Sequence, residues 1–319
     1  MLAEHAAAGT PCVLATVVRT EAPTSAHSGD AAVVTGDGEV IGWIGGSCAE
    51  PLVRREALRA LADGQPRLVR ILPQDNVVET RSRGAVTVAT TCPSGGALEI
   101  FVDPQLPRPL LVVVGGSPAA HALVALGARS GFRTCAVHPG AQATDFAEAD
   151  LVLSSLELAP ARPGPDTWAV VATMGHYDEA ALEAVLAHPE IDVGLVASER
   201  RGAAVLENLR QRGMDEPSLR RIRAPAGGRR AGRQEQIALL ALAEVVTIRN
   251  ARQELTSAAS TTEPGLDARF ATDPVCGMVV DVAEGAPSAT HDGVVVHFCG
   301  DLCRRRFLEE PGRFLAGLA

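Results

Sequence analysis

Apolar and polar positions alternate in short runs along the first third of the chain, which is the pattern of half-buried β-strands. Glycine and aspartate turns separate these runs. From Ala49 to Leu61 the apolar residues instead recur every three or four positions, which predicts one amphipathic helix. We therefore expect a small mixed α+β domain over residues 1–106, with strands near residues 13–19, 31–34, 40–44, 67–72, 86–89 and 98–102.

The pattern changes after a proline-containing linker at residues 104–109. Wholly apolar runs now alternate with stretches of helical periodicity. The predicted strands are 110–114, 134–137, 150–153, 168–172 and 193–196, and the predicted helices are 118–130, 178–187, 200–212 and 234–252. Strands buried on both faces between helices favour a parallel, doubly wound sheet. The α/β fold class thus includes a Rossmann-like domain over residues 107–254.

The last part of the chain begins with a small, polar and turn-rich stretch. Residues 255–270 are interpreted as a flexible linker. Residues 271–319 form a terminal module that is marginal in size for a hydrophobic core alone, so a bound metal would help to stabilise it.

Composition and charge exclude several classes of protein. Hydrophobic residues make up 46% of the 319 residues, enough for packed cores, and the net charge of -9 argues against a nucleic-acid binder. All basic side chains are arginine, so Schiff-base and P-loop lysines are excluded. Without a long apolar run or a secretory leader, we expect no membrane span and a cytoplasmic location. Seven cysteines in a reducing compartment suggest ligation or reactivity, although Cys12 and Cys135 lie in apolar strands and are expected to be buried.

The strongest local feature is the turn Gly45-Gly46-Ser47-Cys48, between an apolar strand and a helix. Small residues and the free N–H groups of the helix start would form a cradle for an anion, and the helix dipole would favour a thiolate at Cys48. The alternative is a buried small residue in a tight turn.

A second turn of this kind contains Cys92, Ser94, Gly95 and Gly96. Its glycines leave backbone accessible to a ligand. Soft thiolates at the two turns would suit molybdenum, copper or a persulfide sulfur.

These segments resemble a known family. VLATVVRTEAPTSAHSGDAAVVTGDG, GWIGGSCAE and TCPSGGALEIFVDP, with LLVVVGGSPAAHALVALGARSGF further on, are similar to the XdhC/CoxF family of molybdoenzyme maturation factors. The resemblance covers nearly all of residues 10–250. It implies binding, protection and sulfuration of the molybdenum cofactor (molybdopterin), and its delivery to an apo-molybdenum hydroxylase such as a carbon monoxide or xanthine dehydrogenase. Cys48 and Cys92 lie at the two cysteine motifs of the family.

The middle block carries part of a dinucleotide fingerprint. Gly115 and Ser117 follow a strand and open a helix, but Ser117 replaces the glycine that lets a pyrophosphate approach. His138 stands where an acidic residue should hold the ribose. His176 follows the strand at 168–172, at the edge where ligands bind in such sheets, and Asp178 beside it is expected to cap the next helix.

The terminal module contains three closely spaced cysteines. Cys276 lies in DPVCGM, and Cys299 and Cys303 are one helical turn apart. We expect them to bind a thiophilic ion, Zn or Cu, with His297 as an optional fourth ligand. DPVCGM and FCGDLCRRRF resemble a YHS domain, a small metal-binding module. Because carbon monoxide dehydrogenase carries copper beside molybdenum, the resemblance also suggests copper handling.

The leading hypothesis is therefore a non-catalytic, homodimeric cofactor chaperone that works with a client enzyme and a cysteine desulfurase, with no catalytic residues of its own. Two alternatives stay open. One is an NAD(P)-dependent oxidoreductase, and the other is a thiol-based metal sensor or store that acts through the terminal module.

Overall fold

The computed structural model of the chain describes residues 9–73, 79–82, 84–90, 95–228, 232–259 and 264–315, together with residues 2 and 5. Its contacts divide the chain into two compact units. The first contains Met1–Pro107 and Gln253–Ala319, and the second contains Arg108–Arg252. The terminal block thus packs with the N-terminal block, while the domain limits given above stay predictions.

A mixed sheet forms the centre of the first unit. In the described ranges it has seven strands in the order β3-β2-β1-β7-β4-β6-β5, in which β4 and β6 are parallel and the other neighbours antiparallel. Helix α1, Glu50–Asp63, packs its apolar face on this sheet. The α+β architecture is confirmed. The strands β1–β7 span Cys12–Glu21, Ala31–Thr35, Val40–Gly42, Arg67–Pro73, Thr80–Ser82, Ala85–Thr90 and Ala97–Gln105.

Two strand limits in this unit differ from the sequence pattern. β3 ends at Gly42 rather than at Ile44, because Gly42 has a φ of 126° that leaves the extended conformation. β5 has three exposed residues at the sheet edge. It therefore has no apolar signal that a periodicity argument could detect.

The second unit has a parallel sheet, and its Rossmann-like fold is confirmed. The order of its described strands is β10-β9-β8-β11-β12-β13, and the direction of winding reverses between β8 and β11. Apolar clusters cover both faces. The strands β8–β13 are Leu110–Val114, Arg133–Val137, Leu151–Leu153, Thr167–Val171, Asp192–Leu195 and Ile222–Arg223, and the helices α2–α6 are Pro118–Arg129, Asp178–Leu186, Glu199–Gln211, Glu216–Leu219 and Gln234–Ala259.

The terminal block is built from two short hairpins and two helices around Phe298 and Phe307. It follows helix α7. Within the described ranges, no helix of the protein is long and apolar enough to cross a membrane. Helix α7 spans Pro264–Arg269, strands β14–β17 span Phe270–Thr272, Val279–Asp281, Ser288–His291 and Val294–His297, and helices α8 and α9 span Asp301–Glu309 and Pro311–Leu315.

Most of the described residues in the segment interpreted as a flexible linker, 255–270, are helical. Helix α6 continues beyond the predicted end at Arg252 as far as Ala259, and α7 begins at Pro264. The small polar residues of this stretch suggested a loop, but no proline or glycine interrupts the helix before its end at Ala259.

Candidate functional site

The first candidate region is the glycine turn between β3 and α1, where Cys48 lies. Gly45 is buried, whereas Ser47 is exposed and Cys48 is half-buried. Gly45 has a φ of 120°, and a methyl group there would lie 3.3 Å from the Cβ of Ala49. The turn therefore needs glycine at this position. The Cys48 thiol lies outside the sheet, shortly before the first helical residue.

The start of α1 differs from the anion cradle expected there. The N–H groups of Ala49 and Glu50 both donate to the carbonyl oxygen of Gly46, at 2.9 and 3.3 Å, and Pro51 has no N–H group. Glu50 also adds a carboxylate to the first helical turn. These donors are used within the turn, so we expect a phosphate group to find partners elsewhere.

The two glycine turns approach the same loop between β1 and β2. A methyl group on Gly96 would lie 2.0 Å from the carbonyl oxygen of Pro23. One on Gly46 would lie 3.9 Å from Oγ of Ser25. Residues 23–26 thus line both turns, so the two turns lie close to the same loop of the first unit. This loop was not predicted as part of a site, although its small polar run APTS between two strands was a usable signal.

The second turn is described from Gly95 onward. Gly95 has a φ of 70°, in the left-handed region that favours glycine. Cys92 and Ser94 lie outside the described residues, and their roles stay predictions.

The terminal block brings four candidate metal ligands together. One ligand atom each from Asp273, Cys276, Cys299 and Cys303 lies within 4.8 Å of the others. Sγ of Cys299 is 3.5 Å from that of Cys276 and 3.6 Å from that of Cys303. The last two cysteines flank the start of α8, and Cys276 comes from the turn before β15. Three sulfurs and one carboxylate suit a tetrahedral site for a thiophilic ion.

Asp273 was missed by the sequence analysis. It is fully buried, and its carboxylate accepts the N–H groups of Val275 at 2.8 Å and Cys299 at 2.9 Å. Burial alone would raise the pKa of Asp273, but the backbone donors Cys299 and Val275 outweigh burial and lower that pKa. An ionised Asp273 thus joins the two segments that carry the cysteines and orients them.

The cluster favours neutral thiols until a cation binds. Burial, assisted by the charge of Asp273, raises the pKa of Cys276 to about 12, and burial also raises the pKa of Cys299. A metal ion reverses this preference because only thiolates are good ligands. The cluster does not include His297, whose Nδ1 is buried without a hydrogen-bond partner among the described residues. Asp273 takes the place considered for His297.

In the second unit, packing explains the shape of the glycine loop after β8. A methyl group on Gly115 would lie 2.3 Å from the carbonyl oxygen of Ala172, and one on Gly116 would lie 2.9 Å from Nε2 of His138. The side chain of Ser117 caps the start of α2. The glycines are therefore needed for close approach of the protein's own groups.

His138 and Tyr177 occupy the part of this edge that follows β9. Nδ1 of His138 is 2.7 Å from the hydroxyl oxygen of Tyr177, and the two rings are stacked. In a dinucleotide-binding fold, an acidic residue at the end of this strand binds a ribose. The structure thus offers little support for the NAD(P) alternative.

A cavity of about 340 Å³ lies at the carboxyl edge of β8, β11 and β12. Val196, Ile237 and Leu240 contribute apolar walls, and Ser117 is one of its polar residues. His176 is exposed in the turn after β11 and is not among the lining residues. Of the residues predicted here, the cavity therefore includes Ser117 but not His176.

Arg201 also lines this cavity and was missed by the sequence analysis. Its Nε is 3.3 Å from Oδ2 of Asp178, and its guanidinium donates to the carbonyl oxygen of Val196. Asp178 is buried and accepts a hydrogen bond from Oγ1 of Thr173. The expectation that Asp178 caps α3 is wrong, since the residue before the helix is Tyr177 and has no side-chain cap. A buried carboxylate thus holds Arg201, which the sequence presents as an ordinary surface charge.

The remaining two cysteines named above are buried in strands. Cys12 in β1 and Cys135 in β9 have almost no exposed surface. Burial raises the pKa of both thiols, that of Cys135 to about 12. The expectation that they fill the cores is confirmed.

Comparison with family models shows two matches. The model of the XdhC and CoxI family matches residues 5–71, and that of the XdhC Rossmann domain matches residues 111–245. Together they cover more than half of the chain.

Similar proteins match different shares of the chain. An uncharacterized protein of Escherichia coli K12, YqeB, is 30% identical over 260 residues, which are 75% of this chain and 44% of YqeB. The chain thus spans less than half of that relative. A copper-transporting P-type ATPase of Rhizobium leguminosarum bv. viciae is 46% identical over 43 residues, which are 14% of this chain and 5% of the ATPase. Among solved structures, a xanthine dehydrogenase from Bacillus halodurans has a TM-score of 0.40 and 16% identity, covering 79% of this chain and 95% of its own.

Proposed function

Because the chain belongs to the XdhC and CoxI family, we propose that it is a maturation factor for a molybdenum hydroxylase of the xanthine or carbon monoxide dehydrogenase class. In this proposal it holds the molybdenum cofactor, protects it, helps to sulfurate it and delivers it to the apo-enzyme. It works as a chaperone without turnover of a substrate. The client, a cysteine desulfurase as sulfur source and a homodimeric state belong to the same proposal.

The position of Cys48 is the observation that carries this proposal. Its thiol is half-buried in a glycine turn, and that turn and the second glycine turn both contact residues 23–26. A soft sulfur donor in such a place suits molybdenum or a persulfide. Cofactor delivery further requires that contact with the client favours a state of lower affinity.

The terminal cluster supplies a second part of the proposal, the binding of Zn(II) or Cu(I). Three thiols around Cys299 and the carboxylate of Asp273 fit a small thiophilic cation. The short similarity to a copper-transporting ATPase, over 43 residues of the chain, is a reason to include copper among the candidate ions. A protein that binds copper as well as the molybdenum cofactor would suit a client enzyme that needs both copper and molybdenum.

The test of Cys48 uses the full chain purified from a molybdenum-replete host, with pterin and metals measured per protein. Cys48→Ala should lower the bound pterin by about tenfold or more, because a donor to the cofactor is lost. Cys12→Ala is the matched control. It removes a thiol in the same unit that is buried in β1, and it should retain the pterin.

Two results would contradict the proposal. One is an unchanged pterin content in Cys48→Ala, and the other is an equal loss in Cys12→Ala. Cys299→Ser then tests the sensor or store alternative, because it should remove the terminal metal and leave the pterin bound. This substitution is preferable to deletion of the terminal block, since Asp281 in that block pairs with the buried Arg54.

A further inference from the structure

The cavity of the second unit lies mainly on one side of the point where the winding of the sheet reverses. The strand order β10-β9-β8-β11-β12-β13 is that of a dinucleotide-binding fold, in which one half holds each nucleotide. The cavity is lined by residues after β8, β11, β12 and β13 and by α6. Apart from Ser117 after β8, its lining therefore belongs to the second half of the sheet and to α6.

In the first half, groups of the protein itself occupy the space around the glycine loop. The ring of His138 fills the position beside Gly116, and its hydrogen bond to Tyr177 fixes it there. The glycine loop is likewise occupied by the carbonyl of Ala172. A ligand of this unit is therefore expected to be the size of one nucleotide, in agreement with a cavity of about 340 Å³.

The walls of the cavity suit a flat ring. Ile237 and Leu240 come from α6, and Val196 and Ala226 follow the strands β12 and β13. Met174 also contributes. It is exposed and has a φ of 59°, a conformation that costs energy for a residue with a side chain and is found at ligand sites. Apolar groups on several sides of a narrow space favour a planar heteroaromatic group.

Arg201 adds a cation at a fixed position. Asp178 and the carbonyl of Val196 hold its guanidinium from one side. A guanidinium that is fixed in this way binds phosphate with little loss of conformational entropy. Glu199 on the same wall is exposed, so solvent and salt screen its charge.

We infer that this cavity binds one bicyclic heteroaromatic ring that carries a phosphate, with the ring between α6 and the end of β12 and the phosphate at Arg201. Molybdopterin and a purine mononucleotide share this chemistry. The inference goes beyond the proposed function, because it assigns a ligand site to the second unit and does not depend on Cys48.

Calorimetric titration of the full chain with GMP, guanosine, NAD⁺ and molybdopterin tests the inference. Molybdopterin should compete with GMP for this cavity, whether or not it also binds at Cys48. Leu240→Trp should weaken the binding of GMP and molybdopterin in the cavity by about tenfold or more, because the larger side chain fills the space. Leu239→Trp is the matched control, an exposed neighbour on α6 that does not line the cavity.

Arg201→Gln tests the phosphate contact. It should weaken the binding of GMP by about ten- to a hundredfold, as expected for the loss of a hydrogen bond to a charged group. The binding of guanosine, which has no phosphate, should stay nearly unchanged. Arg200→Gln, a neighbouring change outside the cavity, should leave both unchanged. Because Arg201 pairs with the buried Asp178 and its replacement affects folding too, Leu240→Trp provides an independent result.

The inference is overturned if neither GMP nor molybdopterin binds, if Leu240→Trp binds both normally, or if NAD⁺ binds much more tightly than GMP. The tighter binder of the two, GMP or molybdopterin, indicates whether the natural ligand is a purine nucleotide or the pterin. The two proposals can fail separately. If Cys48→Ala retains its pterin, the proposed function is contradicted. If the same variant still binds GMP in the cavity that Leu240 lines, the cavity site is supported.

Discussion

At the scale of single residues, the first unit contains a carboxylate with no solvent exposure, Glu56. Arg55, Arg59 and Arg81 donate hydrogen bonds to it at 2.8 to 3.1 Å, and Arg67 lies 3.7 Å away. Burial alone would raise the pKa of Glu56, but the hydrogen bond from Arg81 and the charges of the neighbouring arginines lower it to about 2. An ionised carboxylate is therefore part of the folded structure at neutral pH.

Acid should destabilise the protein through this residue. The pKa of Glu56 falls from an ordinary 4.5 to about 2 on folding, so its contribution is complete above pH 4.5 and is lost as the pH falls toward 2. The difference corresponds to about 3 kcal/mol of unfolding free energy. Urea unfolding followed by fluorescence between about pH 7 and 3 should show the first part of this loss.

Glu56→Gln tests whether Glu56 causes the loss of stability in acid. It should already be less stable by about 3 kcal/mol at neutral pH and should lose less stability as the pH falls. Glu79→Gln is the matched control, since Glu79 contacts Arg55 and Arg81 but 43% of its side chain is exposed. Equal pH dependence in the wild type and Glu56→Gln would show that Glu56 does not cause the loss.

Some site residues could be predicted from the sequence because the spacing that marks them lies within a few positions of the chain. The spacing of Cys299 and Cys303 places two thiols on one helical turn, and the structure brings both into the cluster. Asp273 carries no such signal, because an aspartate before a proline is usual in turns. Arg201 was missed because its buried partner Asp178 lies outside its own helix.

At the scale of elements, β15 is fixed to α1 by a buried ion pair. Asp281 accepts a hydrogen bond from Arg54 at 3.1 Å, and both side chains are almost completely buried. Arg269 donates to the same carboxylate and to the backbone of the loop after β2. The partners Arg54 and Asp281 are 227 positions apart, so no pattern along the chain predicts their contact.

Breaking this ion pair should therefore destabilise the first unit. Asp281→Asn leaves the buried Arg54 without its buried carboxylate partner, and we expect a loss of about 3 kcal/mol. Asp292→Asn, an exposed site in the same block, should change the unfolding free energy by less than about 0.5 kcal/mol. Similar urea midpoints for the two variants would argue against the buried pair as an anchor of β15.

The predictability of elements follows the same physical rule. Strands such as β8 and β11 are buried along their whole length, so their apolar runs identify them. The exposed strand β5 has no such run, and the extension of α6 to Ala259 has the composition of a loop. Periodicity reports burial, and it fails where an element is formed without burial.

At the scale of the whole molecule, the terminal metal cluster and Cys48 belong to one unit, and the cavity with Arg201 belongs to the other. Metal binding should therefore act on the stability of the first unit alone. The chain offers a reporter for each unit, because one of its two tryptophans, Trp43, lies in the first and the other, Trp168, in the second. Trp168→Phe leaves a signal from the first unit, and Trp43→Phe leaves one from the second.

Thermal unfolding of both variants with Zn(II) or Cu(I), and after chelation, tests this division. Ligand at about a thousand times its Kd stabilises the folded state by about 4 kcal/mol, which corresponds to roughly 10 °C for a unit of this size. The transition seen by Trp43 should shift by this amount, and that seen by Trp168 should not. Cys303→Ser should abolish the shift, since a ligand is lost, and Cys135→Ser, in the second unit, should retain it. Equal shifts at both tryptophans would mean that the two units unfold together, and no shift at Trp43 would mean that the cluster does not bind metal.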